Sequence, residues 1–178
     1  MSDQIIIREA ELSDSRALNS YIRQTYSDAN HLITRASEFR MGPWKQRFWI
    51  ARKLSSPYEV CIVATADNKI IGMLDSWTDR RQRVRHSTCF AMSVAKDWRG
   101  RGVGKKLLLH FIDWVQKHEV LERIELHVHS DNDAAFALYK AAGFQEEGVR
   151  KNAVRYEDGR TVDDYIMALW PSRKTIPA

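Results

Sequence analysis

Val94-Ala95-Lys96-Asp97-Trp98-Arg99-Gly100-Arg101-Gly102-Val103-Gly104-Lys105 joins an apolar run to a helical pattern through a loop of glycines and cations. Three glycines at alternate positions let a backbone approach a ligand closely. Their N–H groups can point into one cavity, and the start of the following helix adds partial positive charge. Arg99, Arg101 and Lys105 add full charges. The chemistry suits a pyrophosphate. A P-loop would follow its glycines with Lys and then Ser or Thr to hold magnesium. Here Gly104 precedes Lys105-Lys106, with no hydroxyl. A dinucleotide fingerprint reads G-x-G-x-x-G in the first strand-to-helix turn. This loop reads G-x-G-x-G and comes late in the chain. A solvated glycine-rich turn is the plain alternative.

The elements around the loop follow from periodicity and turn chemistry. Thr88–Val94 reads as the strand before it. Gly102 to about His118 reads as the helix after it, with Leu107, Leu108, Phe111 and Val115 inward. Upstream, Gln4–Arg8 is a strand, and Ser13 or Asp14 caps a helix to about Tyr26. Residues 30–38 read as loop. Gly42-Pro43 opens a second helix, with Trp44, Phe48 and Ala51 expected on its buried face. Glu59–Ala64 and Lys69–Thr78 flank a hairpin turn at Ala66-Asp67-Asn68. Downstream come a strand at Arg123–His129 and a helix at Asp133–Ala142, closed by Gly143. The last two strands, Phe144–Arg150 and Asp163–Trp170, are joined through Asp158-Gly159. The order β-α-α-β-β-β-α-β-α-β-β describes a mixed sheet with packed helices.

A second block, Asn132-Asp133-Ala134-Ala135-Phe136-Ala137-Leu138-Tyr139-Lys140-Ala141-Ala142-Gly143-Phe144, follows the fifth strand. With both blocks in hand, the sequence resembles the GNAT superfamily of acyl-CoA-dependent N-acyltransferases. Arg99, Gly102 and Gly104 match the family's loop pattern. Asn132, Ala135, Leu138, Tyr139, Gly143 and Phe144 match its second pattern. The ending, Glu147–Lys151 through Asp163–Met167, looks like the branch acting on free amino acids or related small amines.

The resemblance implies an α+β fold with a mixed, mostly antiparallel seven-stranded sheet and helices on both faces. It implies a single N-acetyltransferase domain over 1–170 and a short C-terminal tail at 171–178. Acetyl-CoA would serve as co-substrate, with no metal. By the same resemblance the loop strand parts from its neighbour. Backbone groups at Met92, Ser93 and Val94 would pair with the pantetheine amides, and the Val94 N–H would polarise the thioester carbonyl. Arg99, Gly100, Arg101, Gly102, Val103, Gly104 and Lys105 would hold the pyrophosphate. Asn132 would bond to the pantetheine arm, and Tyr139 would protonate the leaving thiolate. Lys96 departs from the family, where many members carry proline.

The acceptor amine must lose a proton before attack, and the sequence leaves the base open. The strand Thr88–Val94 holds no carboxylate. Asp75, Glu125, His127 and His129 are the strand candidates, and a water-mediated path is another. His127 and His129 lack a third ligand at metal-site spacing. Arg80, Arg81, Arg83 and Arg85 read as a solvated connector or as a lip for a substrate carboxylate. Trp44, Trp49 and Trp77 read as core or as a pocket lining.

Composition sets the outer limits. The 178 residues suit one domain, with 44% hydrophobic and 29% charged residues. No apolar run reaches the ~18 residues of a membrane span. The residues Met1–Ala10 lack a secretory pattern, and Cys61 and Cys89 read as small core residues in a reducing compartment, so a cytoplasmic location is expected. A net charge of +5 permits an anionic cofactor or nucleic acid. The expected partner is a small-molecule amine, with no membrane; no RNA-binding motif is present. Homodimerisation is an option the family leaves open. The competing readings are a protein N-terminal α-amine acetyltransferase and a non-catalytic acyl-CoA or RNA-binding module.

Overall fold

The computed structural model describes residues 4–28 and 31–171. Asn30, at the head of the expected loop, and the expected tail from 172 on lie outside them. Among the described residues, seven strands form one sheet: β1 (Ile6–Glu9), β2 (Cys61–Ala66), β3 (Lys69–Thr78), β4 (Ser87–Val94), β5 (Arg123–His129), β6 (Gln145–Arg155) and β7 (Thr161–Leu169). Their order is β1-β2-β3-β4-β5-β7-β6. The helices are α1 (Ser15–Asp28), α2 (Pro43–Leu54), α3 (Val103–Gln116) and α4 (Asp133–Ala141). The pairs β1–β2, β2–β3, β5–β7 and β6–β7 are antiparallel, and β4–β5 is parallel. This is the mixed, mostly antiparallel α+β arrangement expected from sequence. No helix among the described residues is long and apolar enough to cross a membrane.

The chain packs as two compact units. One comprises Met1–Trp77 with Met92–Phe111, the other Thr78–Ala91 with Ile112–Ala178. In the first, α1 and α2 bury Leu18, Tyr21, Ile22 and Ile50 against Cys61 and Val63 of β2. The β2–β3 hairpin turns at Asp67 and Asn68, both in the left-handed region at φ 48° and 60°. That is the geometry a two-residue hairpin needs to match strand twist, and Asp and Asn tolerate it. In the second unit, Ile124, Leu126 and Val128 of β5 are buried, as are Val115, Leu121 and Met167.

One expectation, the inward face of α2, needs correction. Helix α1 begins at Ser15, directly after Asp14, and follows a 3-10 turn at Leu12–Asp14 whose own N-cap is Glu11. Asp14 Oδ2 accepts from the Glu11 N–H at 2.7 Å, while both its oxygens accept from Arg8, at 2.6 and 2.8 Å. On α2, Trp44 and Phe48 are 79% and 73% exposed; the buried stripe is Gln46, Ile50 and Lys53. A lysine can face inward only where buried negative charge meets it. Lys53 finds Glu59 and Asp75.

Gly72 of β3 sets how closely α3 lies on the sheet. A Cβ there would stand 3.0 Å from Leu107 Cδ1, 3.2 Å from Val103 Cγ1 and 3.3 Å from the Ser93 carbonyl oxygen. Gly72→Ala is therefore expected to destabilise the fold by about 1–3 kcal/mol, the usual cost of overpacking. For a chain of this size that lowers the thermal midpoint by roughly 2–12 °C. An unchanged midpoint in a calorimetric scan would mean that α3 can ride up without cost.

Candidate active site

The glycine-rich loop lies wholly within the first unit. Strand β4 ends at Val94, and the Ala95 N–H donates to the Ile71 carbonyl at 2.9 Å, fastening the exit of β4 to β3. A 3-10 turn at Lys96–Trp98 follows. Gly100 and Gly102 then take φ 73° and 79°, which a side chain would strain. Helix α3 begins at Val103. The Lys106 N–H makes the first intrahelical bond, to the Gly102 carbonyl at 3.0 Å. The N–H groups of Val103, Gly104 and Lys105 come before it and have no intrahelical acceptor. A helix start of this kind can receive an anion, and exposed Lys105 stands beside it. The Val103 side chain is buried, so only its N–H can serve such a ligand. Arg99 folds back, its Nε donating to the Val94 carbonyl at 3.1 Å. The Arg101 guanidinium lies over the Trp98 ring at 5.2 Å.

Met92, Ser93 and Val94 are half-buried at the end of β4. Ser93 Oγ shares a hydrogen bond of 3.0 Å with the Tyr21 hydroxyl of α1. Burial pushes the Tyr21 phenol up, while Ser93, Thr25 and Arg99 pull it back. Periodicity placed Tyr21 on the inward stripe of its helix but gave no sign that its hydroxyl reaches β4. The segment before α2 is fastened to α1 as well. Asn19 Nδ2 and Arg23 Nη2 both donate to the Met41 carbonyl at 2.9 Å. Arg23 also covers the Phe39 ring, and Tyr26 meets that ring edge-on at 5.4 Å.

Asn132 and Tyr139 belong to the second unit. Asn132 caps α4, its Oδ1 accepting from the Ala135 N–H at 3.3 Å. Tyr139 is buried against Phe90 and Phe144, with ring centroids 5.9 and 5.8 Å away. Burial alone pushes its phenol up to about 12, so it remains an O–H donor throughout the physiological range. The parallel β4–β5 ladder joins Ser87–Cys89 to Arg123–Glu125.

The strand acids fall into different environments. Burial pulls Glu125 upward, but Arg123 at 2.7 Å and His127 at 3.5 Å outweigh it and leave Glu125 below the usual range. Burial pushes Asp75 up to about 6 against the opposing pull of Lys53. His127 Nδ1 is 2.9 Å from Asp164, and His129 Nδ1 is 3.1 Å from the Tyr156 hydroxyl. No group of three His, Cys, Asp or Glu among the described residues is arranged to hold a metal. Cys61 is buried as expected; Cys89 is only half-buried, with Sγ 3.7 Å from Glu125.

The family model for the acetyltransferase (GNAT) family matches residues 20–144, taking in both the loop and the Asn132–Phe144 block. The chain belongs to this family. It is 32% identical to the L-amino acid N-acetyltransferase AaaT of Escherichia coli K12 over 166 residues, covering 93% of this chain and 97% of that protein. The [ribosomal protein bS18]-alanine N-acetyltransferase of the same organism is 41% identical over 83 residues, covering 47% of this chain and 55% of that one. Among solved structures, an acetyltransferase of the GNAT family from Streptococcus pneumoniae superposes with a TM-score of 0.91 at 27% identity, covering 94% of this chain and 99% of that one. The protein is an acetyl-CoA-dependent acetyltransferase that acts on an amine.

The two thiols are expected to be inert. Burial, then the charge of Glu125, pushes Cys89 up to about 11, and burial pushes Cys61 far above the ordinary thiol range. Iodoacetamide at pH 7.5 should leave the native protein unmodified by intact mass and label both cysteines after denaturation. Labelling of native Cys89 would contradict its environment.

Proposed function

We propose that the acceptor is the α-amine of a free amino acid or a comparably small amine. The observation that supports it best is the nearly end-to-end match to an L-amino acid N-acetyltransferase. Acceptor identity depends on the loops, so likeness across the whole length bears on it more than likeness over half. The fastening of Phe39 and Met41 onto α1 supports a walled acceptor pocket rather than an open peptide groove. The 41% local match favours a second reading, acetylation of a protein N-terminal alanine.

In the proposed mechanism 1–170 acts as one catalytic domain. The N–H groups of Val103, Gly104 and Lys105, which precede the first intrahelical bond and are shaped by Gly100 and Gly102, receive the pyrophosphate of acetyl-CoA, and Arg99, Arg101 and Lys105 surround it with charge. Backbone groups of Met92 and Ser93 pair with the pantetheine, and the Asn132 amide nitrogen donates to it. The Val94 N–H stabilises the oxyanion that forms when the neutral amine attacks the thioester carbonyl. The attack is direct, with no acyl-enzyme. Collapse of the tetrahedral intermediate breaks the C–S bond, and the Tyr139 hydroxyl protonates the departing thiolate.

A panel of the common amino acids beside an alanine-first peptide, with products read by mass spectrometry, separates the two readings. Acetylated amino acids with little acetylated peptide are expected; the reverse would overturn the free-amine proposal. Tyr139→Phe should lower kcat by about 10²–10⁴ with the acetyl-CoA Kd unchanged in calorimetry. Unaltered kcat would remove Tyr139 from the acid role. Gly102→Ala forces a side chain into a left-handed conformation costing about 1–2 kcal/mol, so acetyl-CoA should bind roughly 5–30-fold more weakly. Normal affinity would place the phosphates elsewhere.

A further inference from the structure

Strand β3 carries Met73 and Asp75 on one face, about 7 Å apart along the strand. On that face the Tyr21 hydroxyl reaches both Ser93 and the Met73 backbone. Asp75 belongs to a buried charge cluster in the same unit. Lys53 Nζ donates to the Ser76 carbonyl and stands 2.8 Å from Asp75 Oδ1 and 3.2 Å from Glu59 Oε2. Neither of those two buried carboxylate oxygens has an aligned hydrogen bond among the described residues. Two carboxylates thus share one buried ammonium. Glu59 has a further cation, Arg52, at 3.9 Å. The side chains of Lys53 and Glu59 keep 3% and 7% of their surface, whereas Asp75 keeps 24%. Asp75 is the member that keeps the most surface, and both Lys53 and Arg52 act on it.

We propose that Asp75 is the catalytic base, taking the proton that the acceptor's ammonium must lose before attack. The proposal rests on the amine-acetylation reading above. The acceptor enters as R–NH₃⁺, and one N–H bond breaks as its proton passes to Asp75 Oδ2. The freed lone pair forms the N–C bond to the thioester carbonyl. When the C–S bond breaks, the sulfur takes the Tyr139 proton, and the second proton leaving nitrogen restores the Tyr139 hydroxyl. Asp75 releases its proton to water, so the sum is amide, free thiol and one proton.

The surroundings of Asp75 fit the role. Lys53 and Arg52 face it from α2, Glu59 from the segment before β2, Cys61 from β2 and Tyr26 from α1. Burial raises its pKa most and Lys53 opposes this, leaving a value of about 6. At neutral pH the group is ionised and still basic, which suits a general base. Glu125 is held below the usual range by Arg123 and His127, so it is a poorer proton acceptor.

The test is the pH profile of kcat/KM for the wild-type enzyme with two acceptors, the amino acid found in the panel and a fluorinated analogue with a more acidic amine. Because Asp75 must be ionised to act, the rate should rise with pH through about 6, at the same place for both acceptors. A rising limb that follows the amine's own pKa overturns the proposal. Asp75→Asn should lose about 10²–10⁴ in kcat/KM at pH 7 and lose that limb, while its residual rate climbs toward the amine pKa and acetyl-CoA affinity holds. An Asp75→Asn enzyme that keeps the limb also overturns it. Should that variant fail to fold, the two-acceptor profile decides alone. If no amine is acetylated at all, the reading beneath fails; if product forms but the rising limb tracks the amine, Asp75 alone is rejected.

Discussion

Helix α3 can lie close beside the end of β4 because β3 has no side chain at Gly72. Leu107 and Val103 close over that position, with the Ser93 carbonyl beside it. The Ala95 bond to Ile71 and the Arg99 bond to the Val94 carbonyl then fix the path from strand to helix. The result is a helix start whose first N–H groups are free of intrahelical partners and held at the end of β4. Both features proposed to meet acetyl-CoA in this unit, the β4 backbone and the anion cradle, inherit their placement from that contact.

Local chemistry made much of this legible. The hairpin at Asp67-Asn68, the positive φ of Gly143, the inward stripe of α3 and the bounds of β5 all follow from residues adjacent to, or one helical turn from, the features they set. The inward face of α2 was not legible. Trp44 and Phe48 read as interior residues, and Gln46 and Lys53 are buried instead. What reverses the pattern is Glu59 and Asp75, and Asp75 comes from a different hairpin strand. Tyr21 was hidden for the same reason, since its partner Ser93 is distant in sequence. Asn132 shows the opposite case. Its position ahead of α4 is a plain capping signal, and its oxygen makes the cap.

The two strand acids that sequence could not orient are separated by their neighbours rather than by their type. Glu125 lies among Arg123, His127 and the Cys89 thiol, and its charge is held in place. Asp75 is buried in a charge cluster where it shares the Lys53 ammonium with Glu59. Environments that drive like groups apart are how a site assigns acid and base work. Tyr139 extends the division: ringed by Phe90 and Phe144 and pushed upward by burial alone, it keeps its proton where Asp75 readily gives one up.

Lys53 explains why such a base can work at neutral pH. Burial and the charge of Glu59 both drive the Asp75 carboxyl toward its neutral form, in which it could accept nothing. The Lys53 ammonium opposes them and holds the group in its ionised state above a pH of about 6. A stronger counter-charge would lower the pKa further and weaken the base; none would leave it protonated. Sharing one ammonium between two carboxylates gives an intermediate result. The polar stripe that turns Lys53 inward is thus the feature of α2 that an apolar stripe of Trp44 and Phe48 would have packed more simply but could not have tuned.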